Sequence, residues 1–279
     1  MYATDYFETA ILNSMRGIAL TAPGTMYLAL FLTNPTETGT AGTEVTYGEY
    51  ARIPVTFSTP AAVASNSNTI SIQNETQLTF ASADIDAGTV KFIALMDSLT
   101  GGNMWAYGEL TDALQITAGV APVFTAGSIV YTISGNLTTA FKEKYLNVLR
   151  GYSVEGFNLY AALYNGDPES GGAELSGNNY ARVLLDLTAP EEASSGQMRV
   201  ENSVEAAFNR PTTDWGTWVY TALFNAESGG QPVWKLALTT AMTLTVGRMP
   251  NIAQGGNQTG GELAYGTEFI FSHSVQLRF

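Results

Sequence analysis

Phe7-Glu8-Thr9-Ala10-Ile11-Leu12-Asn13-Ser14-Met15-Arg16-Gly17 returns, 134 positions along the chain, as Phe141-Lys142-Glu143-Lys144-Tyr145-Leu146-Asn147-Val148-Leu149-Arg150-Gly151. In each stretch an apolar residue recurs every fourth position, at 7, 11 and 15 and at 141, 145 and 149. That period places one stripe on one face of a helix. Asp5 can cap the first helix, with Glu8 three residues on as in a capping box, and Gly17 and Gly151 mark the stops.

Working outward, the echo continues in order. Tyr27-Leu28-Ala29-Leu30-Phe31 is followed by Tyr160-Ala161-Ala162-Leu163-Tyr164, Asn34-Pro35 by Asp167-Pro168, and Tyr50-Ala51-Arg52 by Tyr180-Ala181-Arg182. Asp86-Ala87-Gly88-Thr89 corresponds to Asp214-Trp215-Gly216-Thr217, Gly101-Gly102 to Gly229-Gly230, and Trp105 to Trp234. The offset drifts from 134 to 130 to 128, as small loop insertions and deletions between fixed landmarks would make it do. The chain is a tandem duplication, with one unit over 1–136 and another over 137–279. The second carries a Gly-, Asn- and Gln-rich loop insertion near 249–261.

Downstream of each helix the pattern is that of strands. Tyr27–Thr33, Arg52–Phe57, Thr69–Ile72, Gln77–Phe80, Val90–Met96, Met104–Glu109 and Ile129–Ser134 are short and rich in β-branched or aromatic residues, with Gly, Pro, Asn and Thr between them. The expected fold is mainly β: two tandem antiparallel β-sandwich (jelly-roll-like) units, each preceded by one short α-helix. The helix is too short for a core of its own and is expected to lie across one end of its sandwich.

The composition excludes much chemistry. Among 279 residues there are no Cys and one His, so there is no disulfide framework, thiolate zinc site or cysteine nucleophile. A net charge of −13 argues against nucleic acid and against anionic lipid. No apolar run approaches the roughly 20 residues of a spanning helix, so no membrane insertion is expected, and Met1–Tyr6 lacks the basic start of a signal peptide. Charged residues make up only 13% of the chain, against roughly a quarter in ordinary soluble domains. Such a surface is expected to be covered by other subunits.

The order of Leu28–Phe31, Asn34–Thr36, Gly42–Val45, Tyr50–Arg52 and Gly101–Gly108, with Pro211-Thr212-Thr213-Asp214-Trp215-Gly216-Thr217 in the second unit, resembles a small tailed-bacteriophage family of tail-fibre and virion structural proteins. The first-unit counterpart of the last motif lacks its proline and tryptophan. The resemblance implies a non-enzymatic virion component on the tail or capsid exterior, with other virion proteins as partners. It further implies self-association, as a trimer by analogy with fibres, and contact with a host-surface glycan or receptor. The alternatives are a capsid-decorating or cement protein, and a carbohydrate-binding or depolymerase module.

Candidate sites are few. Arg52 and Arg182 occupy the same place in both units. They could bind an anion or a sugar acid, but a guanidinium that recurs at the entry to a strand is better suited to tying a loop or pairing with a carboxylate. Trp215 and Trp218, with Trp105, Tyr107 and Trp234, could form a stacking platform. Trp105 and Trp234 are expected in the core, and Trp218 is the better exposed candidate. His273 lies in an alternating strand pattern without a nucleophile elbow. Asp84/Asp86 and Glu191/Glu192 do not recur as pairs, as the two acids of a glycosidase site would be expected to if both units carried one. No catalytic residue, cofactor or metal is expected.

Overall fold

The computed structural model describes residues 1–193 and 197–252. His273 and most of the 249–261 loop lie outside the described residues.

In the first unit a five-stranded antiparallel sheet runs in the order Tyr2–Ala3, Met104–Ile116, Gly88–Met96, Met26–Phe31, Ile53–Val55. Facing it are a three-stranded sheet of Val130–Ile133, Asn66–Gln73 and Ala61–Val63 and the pair Leu78–Thr79/Val123–Phe124. Leu28, Leu30, Ile93 and Leu95 from the first layer meet Ile70, Ile72, Phe80, Tyr131 and Ile133 from the second in a single buried core. Every strand expected in the first unit overlaps one observed, and the fold is an antiparallel β-sandwich.

The second unit repeats this order. Val183–Leu184, Tyr160–Tyr164, Gly216–Phe224 and Pro232–Leu244 form its large sheet, with Leu137 bridging to Trp234 where the first unit has Tyr2–Ala3. Glu191–Glu192 pairs with Met198–Arg199, and Ala206–Ala207 with Asn251–Ile252.

The run Tyr27-Leu28-Ala29-Leu30-Phe31 is apolar throughout because both of its faces are covered. Leu28 and Leu30 enter the core, whereas Ala29 and Phe31 turn the other way and cluster with Ala94, Met96, Met104 and Tyr107. The loop after this strand folds back over that second cluster. It pairs Phe31 with Glu44 and passes so close that a Cβ on Gly39 would stand 2.9 Å from Met104 Cβ.

The ladder corrects one equivalence. Met96 pairs with Met104 and Leu95 with Ala106, while Phe224 pairs with Pro232 and Leu223 with Trp234. The counterpart of Trp105 is therefore Val233, and that of Trp234 is Ala106. Both tryptophans lie in the core as expected, but at successive positions around a bulge rather than at one shared position.

Helices α1 (Asp5–Ser14) and α2 (Thr139–Val148) bury Phe7, Ile11 and Leu12, and Phe141, Tyr145 and Leu146. The expected Asp5/Glu8 capping box does not form. Thr4 is the N-cap, its hydroxyl donates to Met104 O, and Glu8 turns instead to the other unit. Nor does each helix lie across the end of its own sandwich alone. The Thr4 and Thr138 amides anchor to Trp105 O and Val233 O of their own large sheets. The opposite faces of the helices pack on the second layer of the other unit, α1 against Met198–Arg199 and α2 against Asn66–Gln73 and Val130–Ile133. The physical reason is area: a ten-residue helix with a wide apolar stripe has two sides to cover, and its own sheet edge covers one.

Candidate functional site

The charged residue that recurs in both units builds the same cluster twice. Arg52 donates from Nε to Glu44 Oε1 at 2.9 Å and from Nη2 to Glu44 Oε2 at 2.8 Å, and Arg182 meets Glu174 at 3.0 and 2.8 Å. The remaining nitrogen of each fork, Nη1, donates to two carbonyls of a hairpin turn: Ser98 O and Gly101 O in one unit, Ala226 O and Gly229 O in the other. Tyr50 OH donates to Glu44 Oε1 and accepts from Leu30 N; Tyr180 OH does the same with Glu174 and Leu163 N, all at 3.0 Å.

The local sequence explains the geometry. Gly101-Gly102 and Gly229-Gly230 all have positive φ, between 59° and 75°, as the tight hairpin turn requires and as other residues adopt at a cost. Asp97 and Asn225 clasp that turn by accepting from the backbone N–H of Asn103 and Gln231 at 2.7 Å. The turn then offers its carbonyls to the guanidinium. Hydrogen bonds that Arg52 donates to Glu44 hold the guanidinium protonated above the usual arginine range, and burial pushes the Tyr50 phenol up. The two arginines are thus tied to loops and carboxylates, each fork filled by its own unit.

The tryptophans follow a similar logic. Trp215 is buried, stands edge-on to Tyr180 with ring centres 5.1 Å apart, and donates from Nε1 to Asn178 O, which fixes the loop leading to Arg182. Trp218 is fully buried and donates from Nε1 to Tyr220 O. The expectation of an exposed Trp218 is therefore wrong: Trp218 pairs with Met242 in the ladder and its side chain takes the core-facing place that Val90 holds in the first unit.

Glu191 pairs with Arg199 at 2.9 Å, while Glu192 lies toward Asp5. Asp84 and Asp86 accept backbone N–H bonds from Gly48 and Ala118. Among the described residues no three acids or histidines gather to hold a metal, and no helix is long and apolar enough to cross a membrane.

Two features gave no signal in the sequence. The first is the seam between the units, where Leu20 and Val154 exchange backbone hydrogen bonds of 2.8 and 2.9 Å. Around it, Arg16 Nε donates to Leu187 O and Arg150 Nε to Phe57 O, while Ser14 Oγ meets Tyr145 OH at 2.9 Å. Glu8 and Lys142 are buried here. Glu8 Oε2 accepts from Met198 N at 2.8 Å, and Lys142 Nζ donates to Asn68 O and Oδ1 at 2.7 and 2.6 Å. Burial, with Glu37 and Asp5 nearby, pushes the Glu8 carboxyl up to about 8, against the lowering effect of the Met198 N–H; burial brings Lys142 down to about 8.

The second is an open cleft of about 530 Å³ beside the seam, lined by Asn68, Asn136, Asp167, Glu169, Tyr220 and Lys235 among others. Lys235 bridges Asp167 and Glu169 at 2.8 and 2.9 Å, and Glu169 also accepts from Thr139 N at the start of α2. Burial opposes the charge on both acids, but bonds from Lys235 and the backbone outweigh it and hold them below the usual carboxylate range. In the first unit, Phe92 and Tyr107 stand where Tyr220 and Lys235 do, so the ammonium that ties this cleft has no counterpart there.

No curated protein matches the chain. A family model described as "Podophage GP4 fiber I protein gp80" matches it twice in succession, over residues 2–132 and 136–260.

Proposed function

We propose that this chain, which belongs to the Podophage GP4 fiber I protein gp80 family, is a non-catalytic structural protein of the phage tail fibre that works by assembly with other virion proteins. The observation that carries the reading is the duplicated Glu44–Tyr50–Arg52 and Glu174–Tyr180–Arg182 cluster. In both copies the polar groups best suited to chemistry hold turns and loops in place. A protein that must keep its shape under load benefits from such bidentate ties at the loop ends of a sandwich.

The division into units at about Asn136/Leu137 is part of this proposal, as are self-association as a trimer and contact with a host surface. The low charge content supports the former. The latter is supported by the polar cleft at Asp167, Glu169 and Lys235, whose Tyr220 ring and hydrogen-bonding rim suit a saccharide.

The test is a phage in which this gene carries a stop codon. The reading predicts DNA-filled, stable heads whose tails lack fibres and which fail to adsorb. Leaking heads with intact fibres would assign the chain to capsid cement instead. Shortening of a capsular polysaccharide by the purified protein would overturn the non-catalytic reading.

A further inference from the structure

Several contacts across the seam come in pairs related by a local two-fold. Leu20 and Val154 are counterparts at the 134-residue offset, and they bond each other, so the axis passes between them. Arg16 and Arg150 are counterparts, and their targets, Leu187 O and Phe57 O, are counterparts at the 130-residue offset. Asn13 and Asn147 each brace their arginine through Oδ1. Glu8 and Lys142 are counterparts and both reach across to the other unit, though not at one shared position: by the ladder Met198 corresponds to Ile70, two residues beyond Asn68. A patch that meets its own equivalent about a two-fold is the geometry of an isologous dimer interface, here closed within one chain.

The Glu8 and Lys142 contacts depart from the symmetry. Glu8 takes an N–H from the other unit, whereas Lys142 gives protons to a C=O and an amide oxygen. Glu8 and Lys142 thus meet the other unit at different places, and the seam joins a first unit to a second.

We infer that this seam is a docking surface for the opposite unit of a second copy of this chain, so that two chains can exchange units into a closed dimer. The inference goes beyond the structural role and does not depend on it. The link that would open is the stretch Ser134–Asn136, where Gly135 has φ +90° and Ser134 ends the strand Val130–Ile133. In trans the contacts are those already made in cis, so only the effective concentration of the tethered unit opposes exchange. For a short link that is in the millimolar range.

The chain has no cysteine, which makes the test clean. A hydrogen-bonded antiparallel pair has Cα atoms ~5.5 Å apart, within reach of a disulfide. Three full-length proteins are made: Leu20→Cys, Val154→Cys and the double variant. The double variant is expected to oxidise within one chain, and failure to do so would overturn the seam. The two single variants, carrying different tags, are unfolded together, refolded at high concentration and oxidised. A disulfide joining the two tags, absent when the proteins are refolded apart and then mixed, is the expected result. Its yield should rise with refolding concentration. No cross-link between tags at any refolding concentration, while the double variant cross-links internally, would overturn the exchange.

Discussion

Glu8 and Lys142 stand at the same position of the same helix in the two units, and each reaches across to the second layer of the other, Glu8 as acceptor from Met198 N–H and Lys142 as donor to Asn68. Burying both charges at a seam is costly unless proton equilibria shift to relieve it, and the two groups shift in opposite directions.

That opposition gives a pH signature. The Glu8 carboxyl in the fold titrates near 8 rather than 4.5, so its contribution to stability is complete at low pH and is lost as pH rises between those values. The Lys142 amine titrates near 8 rather than 10.5, so stability recovers as pH climbs from about 8 toward 10.5. Each limb has a slope of at most about 1.4 kcal/mol per pH unit. Urea denaturation across this range should show the lower limb flattened by Glu8→Gln and the upper one by Lys142→Met.

Removing the guanidinium of Arg52 leaves Glu44, a quarter exposed, facing the Tyr50 hydroxyl without its counter-charge, and frees the Gly101 turn. Arg52→Ala should cost about 2–3 kcal/mol, somewhat less than a fully buried pair. In a double-mutant cycle with Glu44→Gln the losses should fall short of their sum. Arg182→Ala and Glu174→Gln should give the same pattern, since the geometry is repeated.

Tyr131 is fully buried and its hydroxyl has no hydrogen-bond partner among the described residues. Tyr131→Phe should leave stability unchanged or raise it by about 1 kcal/mol, because it deletes a desolvated polar group without making a cavity. A loss in thermal or chemical denaturation would reveal a bond this geometry lacks.

All four tryptophans, at 105, 215, 218 and 234, are at most 4% exposed. Native fluorescence should be blue-shifted and shielded from iodide, and Trp218→Ala should cost about 3–5 kcal/mol. Strong quenching in the folded protein would restore the stacking platform that the spacing of Trp215 and Trp218 implies.

The helices, the strands and the loop-tying arginines were legible because they rest on local periods and on repetition. Glu44 and Glu174 were legible in principle, since each lies eight residues before its arginine in both units. Their role was missed because a single glutamate before a strand carries no sign of its partner. Pairing Trp105 with Trp234 went wrong because identity of residue outweighed distance from the Gly-Gly turn, and the ladder keeps the latter. The seam was not read: Asn13, Arg16 and their counterparts Asn147, Arg150 recur, but the oxygens the arginines cross to are backbone carbonyls that any sequence offers.

The central claim is a duplicated unit, closed on itself by a local two-fold, serving in the tail fibre. Density for this chain in the intact virion tests it most directly. The account predicts fibre density in which the two halves of each chain superimpose by rotation about an axis between Leu20 and Val154. Density on the capsid surface, or two halves standing apart without that contact, would contradict it.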